Sequence, residues 1–339
     1  MNVIKIVPRG YCIGVIKAIQ MAKTAIKKFN YENKDVYMIG NLVHNKYIVN
    51  AFKKLNVTII EEFNKSRNEI VSMLPNNSVV IFSAHGTAPE VIKICENKNI
   101  TVVNTVCEFV TITEKLILEK LNQNYEVIFI GVKNHPETIA LTSLGCENIN
   151  FKVSNQKQKI DSAFFNQLKR QVRAEMAKEK KPVHLIQNSY DIMNLKIDQT
   201  KKIFATNQTT LSILETKNLY KLLKLKFPNI EIKNDICDAA ETRQQAILNL
   251  DSNKIDLMIV IGDSISNNTK KLKEISISKN IPTIRINDLY ELNLSILENI
   301  NNVAVTAGTS TPSQVQKQVI DFLEQYPNCQ IPKKPEIIF

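Results

Sequence analysis

The stretch PRGYCIGV, residues 8–15, places Cys12 between Gly10 and Gly14. Alternating apolar residues at 3–7 precede it and predict a strand, and apolar residues at helical spacing follow it. Cys12 is therefore expected at the N-terminus of a helix. There, unpaired backbone N–H groups and the helix dipole favour the thiolate, the form of cysteine that binds metals. A single such cysteine is more often a small buried apolar residue, so the interpretation depends on whether the pattern recurs.

The pattern recurs at a regular distance from another cysteine. His85 follows Cys12 by 73 residues, and Ser310 follows Cys237 by 73 residues. Both polar residues come directly after apolar stretches that predict strands. We therefore expect the chain to repeat one unit, which carries a cysteine at a helix start and polar residues at strand ends.

The middle unit begins at Cys107 and is longer. Thr209 follows Cys107 by 102 residues, which is 29 more than the other two spacings. The excess falls in a lysine-rich stretch, residues 153–200, which we interpret as an inserted amphipathic helix with its linkers, packed on the outside of the unit. A helix on a membrane surface is the alternative, but the apolar stripe is narrow. Its apolar positions are Phe164, Phe165, Leu168, Val172 and Met176.

Strands and helices alternate along most of the sequence, which predicts an α/β fold with mostly parallel sheets. Three similar α/β units would meet around a pseudo-threefold axis as a trefoil, with ligands at the carboxyl ends of the strands. The clearest strands are expected at residues 36–40, 79–84, 127–132, 257–262 and 303–308. We place the three units at residues 1–104, 105–234 and 235–325, followed by a C-terminal tail at 326–339.

Length and composition are those of a globular protein. The 339 residues leave room for two or three domains, and a hydrophobic content of 44% allows a sizeable core. No apolar run reaches the roughly 18 to 20 residues of a membrane span, and the first strand leaves no room for a signal peptide. We expect a cytoplasmic protein that does not contact membranes.

The net charge of +11 comes almost wholly from lysine, since only six of the 44 basic residues are arginine. Nucleic-acid-binding proteins favour arginine for bidentate contacts and aromatic residues for stacking, whereas this chain has no tryptophan and its lysines are dispersed. Nucleic acid is therefore not an expected partner. A solvated lysine-rich surface is the simplest interpretation, and attraction to an acidic partner or an anionic substrate is compatible with it.

Three cysteines that converge on one axis predict a metal site. Three thiolates without a fourth protein ligand suit an iron–sulfur cube with one open iron, which would bind a substrate oxygen and supply electrons. Zinc is the alternative, because three thiolates with an imidazole or a water form a common zinc site, but zinc would bring no electron chemistry. A disulfide framework is not expected. Cys95, Cys146 and Cys329 should be dispensable for metal binding.

Three of the four histidines, His44, His85 and His135, stand in strand-end motifs. Together with hydroxyl and amide side chains they offer hydrogen-bond donors that suit an anionic, phosphorylated ligand bound without a Walker loop. Glu137 follows in the motif NHPE, and in a dry pocket facing an anion its carboxyl would stay protonated and serve as a general acid. The further donors are Thr209, Ser266, Asn268 and Ser310.

These motifs, taken together and in order, resemble those of the 4-hydroxy-3-methylbut-2-enyl diphosphate reductase family, which completes the non-mevalonate isoprenoid pathway. The resemblance runs from residue 5 to about residue 325, with an interruption near 153–200. The motifs that carry it are PRGYCIGVIKAI, GNLVHNKYIV, FSAHGTAP, NTVCEFVT, NHPE, NQTTLS, DICDAAETRQQA, SNN and VTAGTSTP.

The resemblance implies a trefoil around a four-iron, four-sulfur (4Fe-4S) cluster held by Cys12, Cys107 and Cys237. Glu137 would deliver a proton as the allylic C–O bond breaks. The reaction would be a two-electron reductive dehydroxylation that yields isopentenyl and dimethylallyl diphosphate, with electrons from a ferredoxin or flavodoxin. The implied substrate-binding residues are His44, His85, His135, Thr209, Ser266, Asn268 and Ser310, with Asn267 at a place where the family usually has serine.

Other positions also depart from the family pattern. Glu108 replaces the usual proline after the second cysteine and is expected to add a negative charge near the cluster. Thr138 to Ala140 replace a Val-x-Gly pattern after HPE, and Thr242 stands where asparagine is usual. Two alternatives therefore stay open: an enzyme similar to quinolinate synthase, which should bind a dicarboxylate, and an iron–sulfur protein whose catalysis has decayed.

Overall fold

The computed structural model describes residues 1–61, 65–146 and 182–339. The described residues form three parallel sheets of four strands each, with helices between them. The α/β class and the parallel sheets that the sequence predicted are thus confirmed. The strands are β1 Asn2–Lys5, β2 Val36–Ile39, β3 Thr58–Ile60, β4 Val79–Ile81, β5 Thr101–Val103, β6 Glu126–Ile130, β7 Val183–Ile186, β8 Ile203–Asn207, β9 Glu231–Ile232, β10 Leu257–Ile261, β11 Thr283–Ile286 and β12 Asn302–Ala307.

Helices follow most of the strands, as expected for parallel pairs that need crossover connections. The described helices are α1 Ile13–Tyr31, α2 Lys46–Lys53, α3 Arg67–Met73, α4 Pro89–Asn97, α5 Glu108–Asn122, α6 Pro136–Thr142, α7 Ser189–Asn194, α8 Ile213–Lys226, α9 Asp238–Leu248, α10 Asn267–Ser278 and α11 Ser313–Gln325. Short 3₁₀ turns lie at Ser143–Cys146, Ser252–Lys254, Leu289–Glu291 and Leu294–Leu297. In the part of the chain that the structure describes, no helix is long and apolar enough to cross a membrane.

The three sheets have one strand order. It runs β3-β2-β4-β5 in the first sheet and β7-β6-β8-β9 in the second. The third sheet repeats it as β11-β10-β12-β1, so that its fourth strand comes from the beginning of the chain. Val3 is paired there with Val303 and Lys5 with Val305. Each cysteine of the predicted metal site therefore follows the fourth strand of a sheet.

The sequence interpretation of residues 153–200 is wrong for its last part. Residues 183–186 are strand β7, which pairs in parallel with β6 from Val127 to Ile130, and α7 follows it. β7 occupies the place that β3 and β11 hold in the other sheets, so it belongs to the repeat and not to an insertion. The apolar positions of the predicted helix, residues 164–176, lie outside the described residues. The division into units at residues 104 and 234 stays a prediction.

The largest apolar cluster lies between the first and third sheets. Helix α1 contributes its buried face there because its apolar residues recur at helical spacing from Val15 to Phe29. The C-terminal tail adds to the same cluster, since the ring of Phe339 packs on the fully buried Phe52 of α2 with 4.7 Å between centroids. The core thus fixes α1, and with it Cys12, against two sheets.

Candidate active site

Three cysteines cap three helices, as the sequence predicted. Cys12, Cys107 and Cys237 are the N-cap residues of α1, α5 and α9. The backbone N–H of each donates to the carbonyl of a residue at the end of a neighbouring strand. The acceptors are Thr309 for Cys12 at 3.1 Å, Ala84 for Cys107 at 3.0 Å and Thr209 for Cys237 at 2.9 Å. The repeat thus places the cysteines equivalently, and all three line one cavity.

Gly14 allows two of the sulfur atoms to approach each other. A Cβ at this position would lie 2.7 Å from Sγ of Cys107 and 3.8 Å from Sγ of Cys12. A methyl group 2.7 Å from this sulfur would force the Cys107 side chain to shift, so glycine in the first turn of α1 leaves Cys107 its place. This close packing explains why GYCIG carries a glycine inside a helix, where glycine is otherwise unfavourable.

Burial outweighs the helix N-terminus in its effect on the thiols. It raises the pKa of the Cys237 thiol to about 12 and also raises the pKa of Cys107, although backbone N–H groups at the helix starts lower both. The helix starts thus act on both thiols in the expected direction, but the effect of burial is larger. Deprotonation would require a cation between the sulfur atoms, which is what a metal centre supplies.

Three histidines stand together on another wall of the cavity. The rings of His44 and His85 are stacked with centroids 4.3 Å apart, and His135 meets them edge-on at 5.6 Å and 5.3 Å. One ring nitrogen from each lies within 4.8 Å of the others. Burial and the neighbouring ring of His44 lower the pKa of His135 to about 3 and that of His85 well below its usual value. The imidazoles of His85 and His135 are therefore neutral at physiological pH.

Hydrogen bonding fixes one tautomer in this cluster. Nδ1 of His135, the N-cap of α6, accepts from the backbone N–H of Glu137 at 3.2 Å. Because the ring is neutral, its proton must then be on Nε2, which becomes a donor. Nδ1 of His85 is buried without a hydrogen-bond partner among the described residues. The cluster thus retains polar capacity for a ligand.

Glu137 is almost fully buried and faces Thr209. Its carboxylate accepts from the backbone N–H of Thr209 at 2.7 Å and from the Thr209 hydroxyl at 3.0 Å. Burial raises the pKa of Glu137 to about 7, and Asp235 adds to that rise, while both hydrogen bonds from Thr209 oppose it. A carboxyl with this pKa exists in both protonation states near neutral pH, as a general acid requires.

Hydroxyl and amide groups complete the cavity wall beside the histidines. Both polar atoms of the Asn268 side chain are buried without hydrogen-bond partners among the described residues, so the amide can bind a ligand in the cavity. Ser310 donates to the carbonyl of His44 at 3.0 Å, and Ser266 caps α10. Asn267 lines the cavity too, but its amide donates to the carbonyl of Thr210 at 2.8 Å.

The structure also locates the residues that depart from the family pattern. Glu108 does not add its charge to the cysteine site, because its exposed carboxylate pairs with Lys17 at 3.0 Å. The sequence expectation for Glu108 is therefore wrong. Thr138 is buried and its hydroxyl lies 3.3 Å from Oε1 of Gln208. Thr242 is exposed and donates to the carbonyl of Asp238.

Two arginines near the site were missed by the sequence reasoning. Arg67 donates to the carbonyl of Gly86 at 2.7 Å and to the Thr87 hydroxyl at 3.0 Å, and thereby holds the loop that carries His85. Arg243 lies on the helix that Cys237 caps and donates to the carbonyl of Gly10, two residues before Cys12. No periodicity signals Arg67, whereas Arg243 occupies an inward position of α9 that would ordinarily be apolar.

A family model described as LytB protein matches residues 3–324 of this chain. The chain belongs to the LytB protein family. The match covers all three sheets and every residue of the site described above. The family resemblance predicted from the motifs is thus confirmed.

Two relatives of this LytB chain carry the same name. It is 38% identical over 330 residues to 4-hydroxy-3-methylbut-2-enyl diphosphate reductase of Malacoplasma penetrans, with 96% of this chain and 98% of the relative covered. The reductase of the same name from Bacillus subtilis is 37% identical, with 96% and 91% covered.

Solved structures agree with the LytB assignment. The E-1-hydroxy-2-methyl-but-2-enyl-4-diphosphate reductase of Plasmodium falciparum superposes with a TM-score of 0.79 at 28% identity, over 99% of this chain and 95% of that one. A second structure, of (E)-4-hydroxy-3-methyl-but-2-enyl diphosphate reductase, superposes with a TM-score of 0.59 at 24% identity, over 96% and 100%, and supports the fold alone.

Proposed function

We propose that this LytB-family chain reduces 4-hydroxy-3-methylbut-2-enyl diphosphate to isopentenyl diphosphate and dimethylallyl diphosphate, the final step of the non-mevalonate isoprenoid pathway. One observation carries the proposal: three cysteines, three histidines and a buried carboxyl line the same cavity. The names of the relatives supply the substrate, and the cavity contains groups suited to electron transfer, anion binding and protonation. The family match favours this reading over a quinolinate-synthase-like enzyme.

The cysteines fit an iron–sulfur cluster of the 4Fe-4S type. Cys12, Cys107 and Cys237 offer three sulfur ligands, and no other described cysteine lines the cavity. Buried thiols with raised pKa values need a soft cation to become thiolates, and iron and zinc both meet that need. When bound, a cluster with one iron free of protein ligands would supply electrons and a Lewis acid for the substrate oxygen. Zinc would leave the reduction without electrons.

The polar wall suits the diphosphate of the substrate. His44, His85 and His135 converge there, and the N-terminus of α10 brings unpaired backbone N–H groups to the same cavity. The unpaired amide of Asn268 and the hydroxyls of Ser266 and Ser310 add further donors. Neutral donors bind a polyanion without a large reorganisation of charge. Thr209 and Asn267 also line this cavity and we assign both to the substrate-binding residues, with the Thr209 hydroxyl donating to Glu137 and the Asn267 amide donating to Thr210.

Glu137 is the proposed proton donor. Loss of the allylic hydroxyl as water, together with formation of the new C–H bond, consumes two electrons and two protons. A protonated carboxyl at the cavity wall would deliver one proton as the C–O bond breaks. The hydrogen bonds from Thr209 hold that carboxyl in place. An anionic substrate would raise the pKa of Glu137 further, so that binding itself favours the protonated form.

We further propose that the protein works in the cytoplasm and receives electrons from a ferredoxin or flavodoxin. Such carriers are acidic, and the net charge of +11 favours encounter with an acidic protein. Electron transfer from reduced carrier to protein, measured at low and high salt, would test the pairing. If charge steers the encounter, the rate of electron transfer should fall as the salt concentration rises.

The decisive experiment is anaerobic turnover. The protein would be reconstituted with iron and sulfide, mixed with the diphosphate substrate, dithionite and a viologen mediator, and followed by mediator oxidation and product analysis. Formation of both five-carbon diphosphates is expected. A complete cluster without turnover would instead indicate an iron–sulfur protein whose catalysis has decayed, and the absence of any cluster would refute the three-cysteine site.

A further inference from the structure

Arg243 is the only buried lysine or arginine in the described ranges. It is 3% exposed and lies on α9, six residues after Cys237. The inward positions of this helix are Ala240, Arg243, Gln244 and Ile247. Apolar residues are expected in such a stripe, and a guanidinium there is unfavourable unless a negative charge compensates it.

No carboxylate supplies that compensation. The guanidinium donates to the backbone carbonyls of Gly10 at 2.6 Å and Ala239 at 3.1 Å, and no Asp or Glu of the described residues forms an ion pair with it. Its Nε–H is buried without a hydrogen-bond partner. A buried cation that lacks an acidic partner indicates that its counter-charge belongs to something else nearby.

Cys12 and Cys237 lie on the two segments that Arg243 contacts, and their sulfur atoms would carry negative charge once they bind a cluster. The guanidinium donates to the carbonyl of Gly10, two residues before Cys12, and to that of Ala239, two residues after Cys237, so it contacts both cysteine-bearing segments. Through Gly10 the guanidinium also joins the loop before Cys12 to the helix that starts at Cys237. Gly10 has a φ of +84°, so glycine is needed where its carbonyl meets the arginine.

We propose that Arg243 is a positioning residue that holds two cluster-binding segments together and raises the reduction potential of the cluster they bind. The proposal rests on the proposed function, because it requires the cluster. One-electron reduction adds a negative charge to the cluster, and a fixed buried cation stabilises the reduced form more than the oxidised form. Hydrogen bonds and charges near the sulfur atoms are established determinants of such potentials.

The test compares Arg243→Gln, which removes the charge, with Arg243→Lys, which keeps it. Both variants and the wild type would be reconstituted anaerobically, assayed for iron and sulfide, and titrated potentiometrically with detection by electron paramagnetic resonance. Lys120→Gln is the matched control. It removes a partly buried cation from α5, paired with Glu231, about 20 Å along the helix from Cys107.

We expect Arg243→Gln to lower the equilibrium constant for reduction of the cluster tenfold or more. For a one-electron couple this is a fall in the reduction potential of about 59 mV or more. The reduction potential should fall less in Arg243→Lys, and in Lys120→Gln it should equal that of the wild type. Full iron content with an unchanged potential in Arg243→Gln would overturn the proposal. If Arg243→Gln takes up no cluster, the test depends on Arg243→Lys. Cluster uptake by Arg243→Lys would support a role for the positive charge. No uptake by Arg243→Lys would show that Arg243 has a purely structural role and would overturn the proposed effect on the potential. A wild type without a cluster would refute the proposed function instead.

Discussion

The carboxylate of Glu137, the proposed proton donor, accepts two hydrogen bonds from Thr209, one of 2.7 Å from the backbone N–H and one of 3.0 Å from the hydroxyl. The residues are far apart in sequence and belong to α6 and to the loop after β8. Both bonds favour the carboxylate, whereas burial favours the carboxylic acid. Their balance sets the pH range over which the site can donate a proton.

Thr209→Val should raise the pKa of Glu137, because it removes the hydroxyl bond and leaves the backbone bond in place. A hydrogen bond to a charged group contributes roughly 1.5 to 3 kcal/mol, so we expect a rise of about one pKa unit or more. The alkaline limb of the profile of kcat against pH should move to higher pH accordingly. Thr209→Ser keeps the hydroxyl and serves as the control. An alkaline limb that stays in place or moves to lower pH would contradict this account.

Glu137→Gln should separate binding from chemistry. The amide has nearly the same shape as the carboxyl but cannot deliver a proton, so turnover should fall by about 10² to 10⁴. Substrate affinity, measured by calorimetry on the oxidised enzyme, should change little. Near-normal turnover would remove Glu137 from the role of general acid.

Cys12→Ala, Cys107→Ala and Cys237→Ala should each lose the cluster and all activity. Cys329→Ala is the control, because Cys329 does not line the cavity of the three cysteines and its thiol contacts the carbonyl of Phe322. Iron and sulfide analysis after anaerobic reconstitution measures the effect. Wild-type iron content in any one of the first three variants would exclude that cysteine as a ligand.

Gly14→Ala should impair cluster binding without unfolding the protein. Alanine ordinarily favours a helix over glycine by about 0.5 to 1 kcal/mol, but here the new methyl would stand 2.7 Å from Sγ of Cys107. We expect circular dichroism close to that of the wild type and a marked loss of iron. Gln20→Ala, at an exposed position of the same helix, should bind a full cluster. Equal iron content in both variants would show that Cys107 has room to move.

Asp288 should make stability depend on acid pH. Burial raises its pKa, but the hydrogen bond from Tyr47 and the charges of Lys46 and Lys334 outweigh that effect, so the folded-state pKa lies below the usual value. The associated stability is therefore present above the unfolded pKa of about 3.9 and is lost as pH falls through the folded value. Asp288→Asn should lower the free energy of unfolding at pH 7 and flatten its decline below pH 4. An unaltered slope in acid would contradict the assignment.

The sequence predicted those features that local patterns encode. Cysteine at a helix start and polar residues at strand ends follow from short-range periodicity, and the expected strands at 36–40 and 257–262 are confirmed with ends shifted by one residue. Because the spacing of 73 residues recurs after Cys12 and Cys237, the sequence analysis assigned both cysteines to one metal site. Equivalent hydrogen bonds from their backbone N–H groups to strand-end carbonyls explain why that distance was informative.

Other features depend on contacts that sequence spacing does not contain. β7 is only four residues long and follows a lysine-rich stretch, so its pairing with β6 was not visible. The effect of burial on the thiol pKa values depends on how closely α5 and α9 pack, which no motif reports. Glu108 next to Cys107 looked like a charge at the site, yet the first turn of α5 directs it to Lys17 at the surface.

The pairing of β1 with β12 has a consequence for how the protein matures. The strand at Asn2–Lys5 is synthesised three hundred residues before its partner in Asn302–Ala307. The segment before Cys12 therefore has no strand to pair with until β12 has been synthesised, and closing so long a loop is slow. We therefore expect the three cysteines to come together only after β12 has been synthesised. Cluster insertion should accordingly follow the closure of the third sheet rather than precede it.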